Sequence, residues 1–517
     1  VIASESQTLP EEMPLQSYKR RYMAWAYFAL LFILSMYLFT KDNNFPMSFH
    51  PDEPMKARQI QGKKNFRFSH PLLLLGSVKL AMIGKHHPSA EKVVRVGRDV
   101  SAFFAALSVV FLAAAAFSIY GFGAGLAVGI ACMLCSALLM YAHYLKEDTA
   151  LMAGLALAFL AVAVHERRPS TRTIALLSLG FAMATSGKMI GLVSILLILP
   201  ALLLVPMPMP RAKRIFLFLA FCIPPFLLFN YLAIGSGSAF VHGLTKEAQH
   251  IATDHYGLAA RKLSTFYLWR AWQEIPLPVL LIAGVSAFFF AMRWKLTPLL
   301  VRSILLFIPA YTILLSLSPV QMDRYLLPVV VMIHALAGLG IVQWGKAGLA
   351  RKNAAALALL GAVCIWAIAA LILQVTYNYE GIRNDSRFAL REWAMKNIPA
   401  SAKVLYESRS GMILEKEKEK SPYPFALVEA DDAPFQVKNL SFARANGISH
   451  IIVCSLRYDR YFDPNFYAIP GPEGAAVLQQ RAFYDDLFQH GTLLWEKRPS
   501  HIIPGFTNPT VRVYALP

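Results

Sequence analysis

Charge is scarce in this chain. Only 16% of its 517 residues are Asp, Glu, Lys or Arg, whereas 56% are hydrophobic and the mean hydropathy is +0.46. A soluble protein of this length carries about a quarter charged residues, and a large soluble helical core would need polar helix faces that these apolar runs lack. Cysteine is scarce as well: five residues support no disulfide scaffold. Cys132 and Cys135 have CxxC spacing but sit inside the apolar run GIACMLCSALLMY, so they read as small apolar residues in a helix. Cys222, Cys364 and Cys454 are isolated, and no redox or zinc function is implied. The polar stretch 1–17 lacks the basic flank and short apolar region of a cleavable signal, so the run 23–40 reads as a retained first span.

Apolar sequence in long runs is what the chain has in abundance. About eleven stretches suit a bilayer core of about 30 Å: 23–40, 102–120, 122–142, 149–165, 173–187, 189–205, 215–234, 276–292, 303–318, 325–344 and 354–375. The run 71–84 is 14 residues long, contains Lys79, and is expected to be interfacial or re-entrant. Basic residues gather in alternate loops: Lys19, Arg20 and Arg21; Arg167, Arg168 and Arg172; Arg211, Lys213 and Arg214; Arg293, Lys295 and Arg302; Lys346, Arg351 and Lys352. The intervening short loops carry only Lys146, Lys188 and Arg324. Positive charge stays inside, which predicts a cytoplasmic N-terminus and an outer C-terminal region. The long outer segments are then 41–101 and 235–275. The first is rich in Lys and Arg against the charge rule, which suits attraction of an anion such as a lipid phosphate; Arg58 and Lys63 are candidate contacts there, among Lys56, Lys64 and Arg67.

Composition changes near residue 377. Residues 378–517 hold 17 Lys and Arg against 16 Asp and Glu, so nearly all of the net charge of +19 lies in residues 1–377. Two domains are expected: a transmembrane domain over 1–377 and an extracytoplasmic α/β domain over 378–517. In the latter, Ser386 to Ile398 has helical spacing and Pro399 stops it. Strands are expected at 403–406, 448–454 and 510–515, a helix at 479–489, and a solvated charge run at 415–420 (EKEKEK). This region shows neither a phosphate-binding glycine loop nor a catalytic motif.

Two acidic pairs stand out. Asp52-Glu53 lies in HPDEP about ten residues past the first run, and Glu147-Asp148 in HYLKEDTAL opens a later one. Under the expected topology both fall on the outer side and would line one pocket. A carboxylate near a low-dielectric boundary is expected to have a pKa raised toward neutrality, which suits a general base.

Several stretches, in this order, resemble the GT-C membrane glycosyltransferases that use a polyprenyl-phosphate-linked sugar, notably the protein O-mannosyltransferases and the lipid A aminoarabinose transferases. HPDEP (50–54) resembles the acidic motif of their first outer loop, FSHPLLLLG (68–76) their HPPL or KPPL motif, and HYLKEDTAL (143–151) the acidic start of their fourth span. TDHYG (253–257) is similar to a His-Gly site, MDRYLLP (322–328) to an RYLLP motif, and 384–404 to the start of the outer domain of bacterial members. One departure is that a single proline follows His70. The resemblance implies that Asp52 is the catalytic base, that Glu53 supports the loop or a basic neighbour, and that Asp148, with Glu147 as the alternative, completes the pocket. By the same resemblance His70, Arg324 and Tyr325 face the donor phosphate or its lipid. His255 is a candidate metal ligand; no other cofactor is expected, and a divalent metal is left open.

The activity implied is inverting transfer of a sugar from a polyprenyl-phosphate carrier to a glycan, lipid or protein acceptor, at the outer face of a bacterial inner membrane. Membrane lipids are expected partners and nucleic acid is not. The alternative, a secondary transporter or flippase of a lipid-linked or anionic substrate, should show ionisable or glycine-broken segments in mid-membrane, often as repeats. Here the carboxylates cluster at span ends and no repeat is evident. A structural assembly factor leaves the ordered motifs unexplained. Simpler readings stand beside several of these residues. Lys188 would snorkel to the interface, His143 would be structural, and Arg324 with Asp323 would form a surface pair. Trp269 and Trp272 would be interfacial anchors or contacts to a prenyl chain or sugar ring. His242, His250, His255 and Asp254 would be ordinary loop residues.

Overall fold

The computed structural model describes residues 13–63, 68–414, 417, 420–430, 439–501, 503, 505 and 507–516. The polar first twelve residues, Lys64, Arg67 and most of the 415–420 charge run lie outside them. Sixteen helices build the first part: α1 (Met13–Thr40), α2 (Glu53–Ile60), α3 (Leu73–Ala81), α4 (Ala90–Tyr120), α5 (Phe122–Met133), α6 (Ser136–Ala142), α7 (Asp148–Arg167), α8 (Thr171–Gly187), α9 (Ile195–Leu204), α10 (Arg211–Phe229), α11 (Gly237–Thr253), α12 (Phe266–Glu274), α13 (Leu277–Met292), α14 (Leu299–Ser316), α15 (Leu327–Ala350) and α16 (Ala354–Arg383).

The chain is a polytopic helical membrane protein. Among the described residues, seven helical stretches are long and apolar enough to cross a bilayer, and nine if the bent pairs α5–α6 (59°) and α12–α13 (116°) each count as one. The expected eleven runs are all helical, but α8 has 17 residues and the stretch Met189–Leu204 is shorter still, so these two fall below that length. At 1.5 Å per residue, α8 covers about 25 Å. Residues 71–84 yield only the nine-residue α3, packed against α2 and α4. Cys132 and Cys135 are buried free thiols at the α5–α6 break, with Cys135 in extended backbone; they are not inside one continuous helix. Apolar side chains such as Leu219, Leu228, Phe288 and Ile365 are exposed on α10, α13 and α16, as lipid-facing positions require.

α7 is the most enclosed span, packed against α4 and α8. A Cβ at Gly154 would stand 2.1 Å from the Ala184 nitrogen, and one at Gly187 would stand 2.5 Å from the Leu151 nitrogen. Only glycine lets these backbones touch. A tight turn, with Ser170 and Thr173 forming a reciprocal capping box, folds α8 back along α7. The end of α8 therefore lies level with the start of α7, which brings Lys188 to Asp148. The opposite end of the bundle joins Arg167 to Ser118, Glu166 to Leu299 and Lys346 to Tyr120.

The C-terminal region is α/β. It contains α17 (Ser386–Asn397), α18 (Leu440–Ala445), α19 (Ser455–Phe462) and α20 (Pro472–His490). With β1 (Leu258–Ala260) in the preceding region, the strands are β2 (Lys403–Glu407), β3 (Ala426–Ala430), β4 (His450–Cys454), β5 (Phe466–Ala468), β6 (Thr492–Lys497) and β7 (Val511–Ala515). Five form one sheet in the order β3-β2-β4-β7-β6, in which β2 runs parallel to β3 and β4 while β7 runs antiparallel to β4 and β6. The antiparallel pair β1–β5 ties the loop before α12 to this region. The expected strands at 403–406, 448–454 and 510–515 are present. The edge strands β3 and β6 were not anticipated, because they are only partly buried and the apolar stretches within them, 426–428 and 493–495, are three residues long.

Candidate functional site at one end of the bundle

The segment after α1 turns through His50 and Pro51 into α2. Pro54 occupies the first turn of α2, where its missing N–H leaves nothing unsatisfied. Asp52 sits at the cap position without capping the helix, so its carboxylate is directed elsewhere and pairs with Lys146. The Asp52 backbone N–H donates to His50 Nδ1 at 3.1 Å. Glu53 is fully buried: it accepts from Arg98 Nε (2.9 Å) and Nη2 (2.6 Å) and from the Leu145 backbone N–H (2.8 Å). Arg98 also donates to the carbonyls of Asn43 and Phe45 and stacks on the Phe45 ring.

The second acidic pair meets the first. Lys56 pairs with Glu147, and Lys146 lies 3.7 Å from the other Glu147 oxygen. Lys188 pairs with Asp148 at 2.7 Å, and its ammonium lies 4.3 Å from the centre of the Tyr325 ring. Lys188 thus does not snorkel; it is buried against a carboxylate. The structure brings the two acidic motifs into one cluster through Lys56 and Lys146. Of the four carboxylates, Glu53, Glu147 and Asp148 are at most 2% exposed, whereas the Asp52 side chain is 33% exposed.

The expected upward pKa shift of Asp52 is not what the surroundings produce. Burial is the largest single influence and acts upward. The cations Lys146, Arg324 and Lys56 together outweigh it, and the carboxyl is held well below its usual range. Glu147 is likewise held low, with burial opposed by Lys56 and Lys146. His50 and His70 move the other way: burial pushes His50 well down and His70 to about 3, so both imidazoles are neutral. His70 is half-buried near Glu147, Lys146, Lys188 and Lys56, and can offer a hydrogen bond but no charge.

Arg324 stands at the start of the α15 span, beside Tyr325. It does not pair with Asp323, whose carboxylate takes Arg270 at 2.9 Å. Among the described residues the Arg324 side chain makes no hydrogen bond or ion pair; its Nε is buried without a partner, and it faces Asp52 and Asp148 electrostatically. The site therefore holds four carboxylates against Arg98, Lys56, Lys146, Lys188 and Arg324, and the half-buried Glu247 of α11 also lies in the field of Lys146, Lys188 and Arg324.

Other candidates lie apart from these pairs. Arg58 is half-exposed near the end of α2 and Lys63 is exposed just past it; the lysines that do pair are Lys56, Lys146 and Lys188. His143 bonds the Leu139 and Lys41 carbonyls and is structural. His255 Nδ1 lies 3.3 Å from His250 Nε2, and Asp254 accepts from the Gly257 N–H. Among the described residues no three His, Cys, Asp or Glu side chains gather as a metal site would require. Trp269 and Trp272 are exposed on α12 and line a cavity of about 730 Å³ with Arg270, Gln273 and Asp463. The sequence reading missed the lysine counter-ions. Their signal was present in HYLKEDTAL, where Lys146 adjoins the acids, and in the excess of Lys and Arg over 41–101.

Helices and sheet together give the chain a GT-C fold. The chain is similar to the archaeal oligosaccharyltransferase AglB from Archaeoglobus fulgidus in complex with an inhibitory peptide and a dolichol-phosphate, at 9% identity and a TM-score of 0.56 over 93% of this chain and 74% of that one. The apo form of the A. fulgidus oligosaccharyltransferase aligns with a TM-score of 0.53 and 10% identity, over 95% and 75% of the two chains. ArnT from Cupriavidus metallidurans bound to undecaprenyl phosphate aligns over 94% and 98% at 11% identity, with a TM-score of 0.49. No protein-family model and no curated protein sequence matches the chain. At these identities the likeness is one of fold.

Proposed function

We propose that this protein is an inverting glycosyltransferase that moves a sugar from a polyprenyl-phosphate carrier to an acceptor at the outer face of a membrane. The single observation that carries the reading is the pairing of roles at one spot: an ionised, partly open carboxylate (Asp52) within the field of a guanidinium without an acid partner (Arg324). The GT-C fold supports it, as does the dolichol-phosphate held by a neighbour of that fold.

In this reading the acceptor oxygen attacks the anomeric carbon as the bond from that carbon to the phosphate oxygen breaks. Negative charge grows on the departing phosphate, where Arg324, with Lys188 and Lys146 nearby, stabilises it more than the ground state. The acceptor proton passes to the Asp52 carboxylate. Because Asp52 is a weak base, the proton moves late, when the acceptor oxygen has become acidic through bond formation. One displacement inverts the anomeric centre. Glu147 and Asp148 act by fixing Lys56 and Lys188, and residues 378–517 form an outer domain above the site.

The test is transfer of the sugar from a purified undecaprenyl- or dolichyl-phosphate-linked sugar series to added glycan, lipid or peptide acceptors by the detergent-solubilised chain. Asp52→Asn should lower transfer by about 10²–10⁴ with the protein still folded, and Arg324→Ala should weaken both donor affinity and rate. Wild-type transfer by Asp52→Asn removes Asp52 from the mechanism. Because Asp52 stays ionised above its lowered pKa, its titration should add no limb to the rate profile between pH 5 and 8.

A further inference from the structure

The loop that carries Asp52 is gripped from the C-terminal side. Arg387 is 1% exposed, donates from Nη1 to the Phe49 carbonyl at 3.0 Å, and lays its guanidinium over the Phe49 ring at 3.7 Å. Its other face is fixed by Asp385, through Nε at 2.8 Å and Nη2 at 2.7 Å, and Asp385 in turn accepts from the Asn508 N–H. Phe388 packs on Phe49 from the same helix. Gly411, at φ +70°, completes the seat: a Cβ there would stand 3.0 Å from both the Phe49 ring and Arg387.

A second grip reaches the other acidic motif. The Tyr144 hydroxyl bonds Thr507, its ring lies 4.9 Å from that of His50, and a Cβ on Gly505 would meet it at 2.9 Å. Tyr144 is two residues before Lys146, the partner of Asp52, and His50 accepts the Asp52 N–H. Both halves of the Asp52–Lys146 pair are thus anchored, within three residues, to side chains of the C-terminal region.

We propose that Arg387 and Thr507 are positioning residues: they hold Phe49 and Tyr144 so that Asp52 and Lys146 meet in one geometry, which makes the C-terminal region part of the catalytic apparatus. This rests on the transferase reading above for its rate consequence, but not for its structural one. A carboxylate displaced by about 1 Å costs up to a hundredfold in rate.

The experiment uses the full chain in detergent with Arg387→Lys, which keeps a cation for Asp385 but loses the second arm to Phe49, and Thr507→Val as a milder variant. Hydrogen exchange is measured over 47–54 and 143–148, alongside transfer and binding of undecaprenyl phosphate. Arg387→Lys should exchange faster over 47–54 while the five-stranded sheet keeps its protection. Its kcat should fall about ten- to a hundredfold, with donor KM and lipid-phosphate binding unchanged. Thr507→Val should loosen 143–148 and lower kcat a few-fold. Wild-type exchange at both loops in both variants overturns the proposal, as does faster exchange with wild-type kcat. A wild-type chain without transfer activity sinks the transferase reading alone, and the exchange data still decide the grip.

Discussion

Removing the charge of Glu53 separates structural from chemical roles in this cluster. Glu53→Gln is isosteric, but the amide has one acceptor oxygen where the carboxylate has two. That oxygen can keep the Leu145 N–H and Arg98 Nε bonds, while the new NH₂ group faces Arg98 Nη2, formerly 2.6 Å from a carboxylate oxygen. A donor then meets a donor, and a guanidinium 2% exposed loses its counter-charge. Breaking a buried pair in this way costs about 3–5 kcal/mol. A membrane protein of this size is best followed by the half-life of irreversible inactivation in detergent. At about 1.4 kcal/mol per decade, the half-life should shorten by about a hundredfold or more. Transfer per surviving folded molecule should stay close to wild type, since Glu53 has no exposed surface. Replacing both partners with apolar residues, Glu53→Leu with Arg98→Met, should recover much of the loss. A Glu53→Gln protein with a wild-type half-life but no transfer would refute this reasoning and give Glu53 a part in the chemistry.

Two further outcomes follow from other buried charges. Lys188→Met leaves Asp148 unpaired at 2% exposure, so it should shorten the inactivation half-life and lower transfer together, whereas Lys188→Arg should restore part of both. In the C-terminal region, burial pushes the Glu407 carboxyl up to about 7 against the Tyr484 hydroxyl, Arg457 and the Cys454 N–H. Its folded-state pKa is raised, so its contribution is fully present below about 4.5 and is lost as pH rises to about 7, a change of about 3 kcal/mol. With the base-catalysed intrinsic rate divided out, the protection of the sheet should therefore be greater at pH 5 than at pH 8, and Glu407→Gln should flatten that dependence; an unchanged dependence in the variant would exclude Glu407 as its source.

The two acidic motifs of the candidate site could be read before any geometry. Membrane character, helix positions and the two acidic motifs follow from local properties: run length, mean apolarity and carboxylates at the ends of apolar runs. The count of spans was less legible, because α8 and the Met189–Leu204 stretch are apolar yet short, and because α12 and α13 bend by 116°. Direction of titration was not legible at all. A carboxylate near lipid is pushed up by desolvation, and at Asp52 that push is overcome only because Lys56, Lys146 and Arg324 arrive from three separate stretches.

The amino-acid order alone determined where the chain is apolar, where it is acidic and where its composition turns mixed and polar, since each depends on residues close together in sequence. Only the tertiary structure decided which cation meets which acid, that Lys188 is buried rather than snorkelled, and that Asp52 alone of the four carboxylates stays open. Those outcomes are set by helix contact at Gly154 and Gly187 and by the reach of side chains from residues some 40 to 340 positions apart. Desolvation and Coulomb energy depend on such distances in space, which spacing along the chain does not contain.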